Sequence, residues 1–410
     1  MIAMARLRSR IRTLATILGP AFVAAVAYVD PGNVSANLSA GAQYGYLLVW
    51  VLVLANAMSV FIQYQSAKLG IVTGHSLPYL LGSRLSFSAR VLFVAQAEVV
   101  AIVTDLAEVI GGAVALQLLF GLPLIAGGII IGVVSSVLLM LQGHKTQRQF
   151  EWAVIGLLLI ITIGFVAGAF LDPPPAERVL SGLVPRFADA QSVLLASSIL
   201  GATVMPHAIY LHSTLVNDHY HAERPPVAKE LFGTKIDVLW ALIIAGSVNL
   251  LLLLIAAHTL FGVQGTDTLE GAYQAILHAF GPAVACLFAV GLLASSLAST
   301  SVGTYAGQEI VRGLCHITVP MWVCRIITLV PALVILAVGI DPTQALVVGQ
   351  AILSIGIPFA IIPLARYTRN TAIMGKWANG KWTALVFAAI VVAVVGLNMV
   401  LIVLTVLGIQ

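Results

Sequence analysis

Two apolar segments, each long enough to cross a bilayer, carry a proline in mid-run beside polar or sulfur side chains. The first reads Val26-Ala27-Tyr28-Val29-Asp30-Pro31-Gly32-Asn33 and the second Gly201-Ala202-Thr203-Val204-Met205-Pro206-His207. Lipid offers no partner to a freed backbone group, so a break is tolerated only where it faces protein or a water-filled cavity. Two such breaks, one in each half of a membrane protein, point to a substrate site near the bilayer midplane of a transporter.

The rest of the chain supports a membrane setting. Of its 410 residues, 60% are hydrophobic and 9% charged, against about 25% charged in soluble domains. The formal net charge of +4 comes with no basic run interleaved with aromatics, so nucleic acid is not a partner. Cys286, Cys315 and Cys324 form no CxxC, which argues against a disulfide framework or a zinc site. The Arg6–Arg12 cluster before an apolar run imitates a signal peptide, but cleavage at Ala25-Val26-Ala27 would discard half of the first broken segment.

Eleven spans are expected, at about 17–43, 46–70, 89–116, 122–142, 152–171, 190–216, 236–260, 271–308, 320–340, 343–366 and 383–408. With the N-terminus cytoplasmic, 18 of the 20 Lys and Arg residues fall on the inner side and only Arg178 and Arg186 on the outer. The C-terminus is then extracytoplasmic. The breaks fall in the first and sixth spans, which start on opposite sides. The expected class is an all-α polytopic membrane protein with a five-plus-five inverted repeat and one appended helix. Its parts are a cytoplasmic segment (1–16), a first repeat (17–171), an extracellular connector (172–189), a second repeat (190–366), a cytoplasmic loop (367–382) and the eleventh helix (383–410).

Asp30 lies deep in the first span, and an intramembrane carboxylate marks a functional site by default. Pro31 lacks an N–H and Gly32 permits unusual backbone angles, so unwinding there would free carbonyls such as that of Ala27. Asn33 adds an amide oxygen. In the second break Pro206 can free the carbonyl of Ala202, and Met205 offers a thioether. Hard oxygen and soft sulfur donors together suit Mn²⁺, Fe²⁺, Co²⁺ or Cd²⁺ and handicap Mg²⁺ and Ca²⁺. The bland alternatives are a kinked helix whose Asp30 pairs with a neighbour, and a Met205 that only packs.

In the third span Glu98, Asp105 and Glu108 share one helix face, with Arg325 of the ninth span as counter-charge. His207 and His212 follow the second break. Such a row reads either as a proton relay or as a static cluster that locks helices together. Asn56, Gln63, Asn249, Ser299 and Thr300 read as hydrogen bonds between helices. His219 and His221 read as solvated loop residues.

Asp30-Pro31-Gly32-Asn33 together with Met205-Pro206-His207 resembles the Nramp family (natural resistance-associated macrophage proteins), proton-coupled divalent metal transporters whose bacterial members carry manganese. Gln96-Ala97-Glu98, Thr104-Asp105-Leu106-Ala107-Glu108, Tyr210-Leu211-His212-Ser213 and Asp341-Pro342-Thr343 extend the likeness over essentially the whole chain. The resemblance implies a fold like the amino-acid/sodium symporters. It implies metal ligands at Asp30, Asn33 and Met205 with the carbonyls of Ala27 and Ala202, and Gln350 joining in some states. It also favours the relay, with Asp105, Glu108 and Arg325 leading away from the metal. Relatives commonly carry two arginines where this chain has Cys324-Arg325.

The expected activity is import of Mn²⁺ and Fe²⁺, with Cd²⁺ and Co²⁺ also accepted, together with protons across a bacterial inner membrane. Metal and proton are substrates, no cofactor is expected, and beyond lipid no obligate protein partner is evident. A Mg²⁺ carrier of the same kind and a metal-selective channel are the alternatives. No H-E-x-x-H motif and no P-loop occur, which leaves an intramembrane metalloenzyme and an ATP-driven pump without support.

Overall fold

The computed structural model describes residues 20–140, 156, 173–218, 226–263, 265–266 and 268–408, and every regular element among them is helical. The first apolar segment forms α1 (Pro20–Val26), a 3₁₀ turn (Ala27–Val29) and α2 (Pro31–Tyr44). Then come α3 (Val49–Thr73), α4 (Phe87–Phe120) and α5 (Leu124–Met140). The expected fifth span lies outside the described residues, apart from Gly156. After a short helix (Ala176–Ser181) in the connector, the second broken segment forms α6 (Ala190–Thr203) and α7 (Pro206–Asp218). It is followed by α8 (Val227–Ile255, closing in a π-helical turn Ala256–Leu260), α9 (Leu269–Phe280), α10 (Pro282–Cys315), α11 (Met321–Val338), α12 (Pro342–Arg369) and α13 (Lys381–Leu407).

Seven helical segments among the described residues are long and apolar enough to cross a membrane, and α5 and α11 supply shorter apolar helices. The protein is embedded in a membrane. Two expected span boundaries differ. The span expected to begin at 236 starts at Val227, so Lys229, Glu230 and Lys235 are helical as well. Asp237 is buried and its Oδ2 accepts from the Ala21 N–H at 3.0 Å. A carboxylate from α8 thus bonds a backbone N–H of α1 and ties the two helices together. The span expected at 271–308 is two helices, because Gly281 turns at φ 84° and Pro282 opens α10.

The centre is built from the broken helices and their neighbours. α4 and α10 pack along each other, α6 lies on α12, and α3 lies on α7 and α8. Where two apolar helices meet in lipid, small residues let backbones approach. Thus Gly41 of α2 abuts Leu253 and Ala256, and Gly70 of α3 abuts Ser213. α13 sits at the periphery, with only 22% of its apolar window buried. It is held to α12 by a reciprocal pair: Asn398 Nδ2 donates to Ser354 O at 2.9 Å and Ser354 Oγ donates to Asn398 Oδ1 at 2.8 Å.

Candidate metal centre

Asp30 is the N-cap of α2. Its Oδ1 accepts from the Asn33 backbone N–H at 2.7 Å, the bond that restarts the helix after the break. Pro31 occupies the first helical position, where a missing N–H costs nothing. The irregular stretch is therefore Ala27–Asp30, just before the proline. Gly32 is part of the regular helix rather than the source of unusual angles. In the second break the backbone leaves helical geometry at Val204 (φ −111°, ψ 63°) and resumes with Pro206 at the start of α7.

Each break frees carbonyls, and most of them are taken up. In a continuous helix the carbonyl of residue i accepts from residue i+4. Asn249 Nδ2 donates to Tyr28 O at 2.5 Å, Ser295 Oγ donates to Val29 O, and Ser59 Oγ donates to Thr203 O at 2.6 Å. Asn37 Nδ2 in turn donates to Asn249 Oδ1 at 3.0 Å. For Ala27 and Ala202 the i+4 residues are Pro31 and Pro206, which have no N–H to give. Sequence reasoning picked out Asn249 only as a hydrogen bond between helices. The partners Ser59 and Ser295 carried no signal, since a serine in an apolar helix more often bonds its own preceding turn.

The freed Ala202 carbonyl defines the centre. Asn33 Nδ2 donates to it at 2.9 Å and to Asp30 Oδ1 at 2.7 Å, so one amide bridges the two broken helices. Gln350 Nε2 of α12 donates to Asp30 Oδ2 at 3.3 Å. Asp30, Asn33, Ala202 and Gln350 are brought together and all are buried. Met205 is fully buried in the apolar cluster that contains Ala27, Tyr28 and Val29. The oxygens Asn33 Oδ1 and Gln350 Oε1 are buried with no hydrogen-bond partner among the described residues. A half-turn of either amide would exchange its N–H₂ for that oxygen and present another acceptor beside Asp30. No group of three or more His, Cys, Asp or Glu residues lies close enough to hold a metal among the described residues. The centre thus offers one carboxylate, two amides, a freed carbonyl and a nearby thioether.

Glycines set the spacing. A Cβ on Gly32 would overlap the Gln350 side-chain amide, and one on Gly201 would overlap the Gln350 carbonyl. One glycine from each broken helix therefore admits α12 at Gln350. Gly111 of α4 does the same for the Pro31 ring. Neither Gly111 nor Gly201 was distinguishable in the sequence from any other glycine in an apolar run.

The acidic stripe divides. Asp105 and Arg325 form a buried ion pair, and Arg325 Nη2 donates to Ser135 Oγ at 2.6 Å. Glu108 is buried against Gly303. Glu98 is half-buried near Cys324 and forms no ion pair among the described residues. Cys324 therefore leaves Glu98 without the cation that a second arginine would bring. His207 Nδ1 lies 3.3 Å from Thr104 Oγ1, one residue before Asp105. His212 Nδ1 lies 2.8 Å from Gln63 Oε1, and Gln63 Nε2 donates to the Tyr28 hydroxyl at 2.5 Å, which ties His212 to the first break. His219 and His221 lie outside the described residues.

A cavity of about 380 Å³ opens between α2, α6 and α12, and its walls carry Ser39, Gln43, Gln191, Asp341 and Gln344. Its lining reaches Val347, one helical turn before Gln350. There Ser198 Oγ donates to Val347 O at 2.8 Å and joins α6 to α12.

The Nramp family profile, described as natural resistance-associated macrophage protein-like, matches residues 21–404. The chain belongs to the Nramp family. Its similarity to the divalent metal cation transporter MntH of Mycobacterium tuberculosis (strain ATCC 25618 / H37Rv) is 54% identity, covering 98% of this chain and 94% of that protein. A crystal structure of a point mutant of the manganese transporter of Eremococcus coleocola superposes with a TM-score of 0.82 at 30% identity, covering 96% of this Nramp chain and 86% of that one. A closed-state transporter of the nucleobase-cation-symport-1 family shares the fold at 15% identity, with a TM-score of 0.60 over 94% of this chain and 89% of that one. These Nramp relatives are named for transport, and none of the names describes an enzyme.

Proposed function

We propose that this chain is a secondary active transporter that imports divalent transition metals, Mn²⁺ and Fe²⁺ first, together with protons by alternating access. The observation that carries this reading is the Asn33 amide bridging Asp30 Oδ1 and Ala202 O. Two acceptors from two separately broken helices converge on one donor group there, which is an arrangement a cation can take over. Asp30 supplies the formal charge, Asn33 and Gln350 turn their unpartnered oxygens inward, and Ala27 O, Ala202 O and Met205 Sδ complete the shell. The thioether favours a borderline-soft ion over Mg²⁺ or Ca²⁺.

The metal approaches through the polar cavity beside α12, and closure at the Ser198–Val347 contact separates cavity from centre. Protons leave along the other side of Asp30, by way of Glu108, Asp105 and Arg325, with His207 and His212 on the facing helix. The surrounding architecture is proposed as eleven spans, with 17–171 and 190–366 as inverted five-helix repeats joined by 172–189, and with 383–410 appended after the 367–382 loop. The N-terminus faces the cytoplasm and the C-terminus the opposite side of a bacterial plasma membrane. Metal and protons pass as substrates with no resident cofactor.

Uptake of Mn²⁺ into proteoliposomes, with and without an inward proton gradient, tests the reading. Gradient-stimulated Mn²⁺ uptake that is nearly abolished in Asp30→Asn is expected. Wild-type uptake in that variant removes Asp30 from the site. Uptake indifferent to the proton gradient, with conductance that does not saturate, supports a channel instead.

A further inference from the structure

We propose that the groove between α12 and α13 is a binding site for one anionic phospholipid. The groove is shallow and open along one side, with a volume of about 670 Å³. On α12 it is lined by Ile362, Arg366 and Arg369, which recur along one helix face. Facing them on α13 are Ala384, Ala388 and Val392, whose short side chains leave the gap, with the buried Phe387 as its floor.

The two helices run antiparallel here, so polarity changes with depth. Arg369 and Asn370 stand where α12 ends, beside the first turn of α13 at Lys381. Val392 stands about 15 Å further along α13 at 1.5 Å per residue, well into a hydrocarbon core about 30 Å thick. Trp382 in that first turn is almost fully exposed, as an aromatic anchor at the headgroup level is. The basic end of the groove therefore lies at the membrane surface and the apolar end among acyl chains.

Charge selects the occupant. Arg366 and Arg369 are exposed and join no ion pair among the described residues, where the pairs formed are Arg312–Glu309 and Arg325–Asp105. Two unpaired guanidiniums at the membrane surface attract an anion, and the anionic headgroups of the bilayer are the nearest source. The first turn of α13 adds uncapped backbone N–H groups at the same level, since Gly380 offers no side-chain cap. One phosphate between Arg366 and Arg369, with an acyl chain along Phe387 and Val392, satisfies all of these features at once.

The test uses the full chain in detergent, stripped of lipid, titrated with phosphatidylglycerol, with phosphatidylcholine of the same acyl chains, or with inorganic phosphate. Binding is read by native mass spectrometry and by the rise in melting temperature. Phosphatidylglycerol alone is expected to bind at one saturable site. Its affinity should fall about thirtyfold in Arg366→Gln/Arg369→Gln, the loss expected for two surface cations. It should fall also in Ala388→Phe, which fills the groove and leaves the charges in place, so a folding failure in one variant leaves the other to decide. Equal binding of phosphatidylcholine, an equal response to inorganic phosphate, or phosphatidylglycerol binding unchanged in Ala388→Phe overturns the proposal.

Discussion

Gly32→Ala probes how the first broken helix and α12 share space. The three atoms nearest an added Cβ all belong to the Gln350 side chain, so the methyl group and that amide cannot keep their present positions. Overpacking of this kind costs about 1–3 kcal/mol. Replacing a helical glycine by alanine returns about 0.5–1 kcal/mol. The net expectation is destabilisation by roughly 1–2 kcal/mol, together with displacement of the Gln350 amide from Asp30. Truncating Gln350 to alanine deletes all three offending atoms. In that background Gly32→Ala should become neutral or mildly stabilising, which gives a coupling of about 1–3 kcal/mol between the two sites. Thermal unfolding of the four proteins in detergent measures the stability cycle, and Mn²⁺ titration measures the affinity cycle. Gly32→Ala should weaken Mn²⁺ as much as Gln350→Ala does, and the double variant should be no weaker than Gln350→Ala alone. If Gly32→Ala costs the same in both backgrounds, the glycine is not there to admit Gln350 and the argument from close approach fails.

Three further outcomes follow from the contacts around the breaks. Asn249→Ala should destabilise by about 1–3 kcal/mol, because it leaves the buried Tyr28 carbonyl and the Asn37 amide without their partner; melting curves that overlay those of the wild type would refute this. Met205→Ala should keep part of the Mn²⁺ uptake while weakening Cd²⁺ and admitting Ca²⁺, so competition assays with unchanged Ca²⁺ exclusion count against a sulfur filter. Asp105→Asn and Glu108→Gln should depress proton flux more than metal uptake when both are followed in the same vesicles; a constant metal-to-proton ratio with a lower melting temperature instead identifies a structural lock.

The broken segments were legible because proline and an intramembrane carboxylate are rare in apolar runs and each has a physical cost. The details of the breaks were not legible. The tetrapeptide Asp30-Pro31-Gly32-Asn33 invites a reading in which proline and glycine disrupt the helix, whereas Asp30 caps a helix that Pro31 begins. The same residue types serve at either place, and only the backbone shows on which side of the proline the irregular stretch lies. The early start of α8 was missed for a related reason. Lys229, Glu230 and Lys235 look like a loop by hydropathy, yet they continue the helix whose Asp237 accepts from the Ala21 N–H of α1, far away in the chain.

What the sequence could not carry is the pairing between a break and the residues that stabilise it. Ser59, Asn249 and Ser295 come from three different helices, and each satisfies a single carbonyl near a break. Nothing local marks them, since a serine or asparagine in an apolar helix is compatible with many partners. Their arrangement nevertheless decides what the centre can do. Were every freed carbonyl bonded by a neighbouring helix, the breaks would be kinks with no spare acceptors. Were none bonded, the cost of several buried orphan carbonyls, about 1–3 kcal/mol each, would favour closing the helices. Prolines at 31 and 206 deny Ala27 and Ala202 an i+4 donor, while side chains hold Tyr28, Val29 and Thr203 in place. In the proposed site the Asn33 amide bonded to Ala202 O is the contact that a side-chain rotation would exchange for a cation, leaving the three other carbonyl bonds in place.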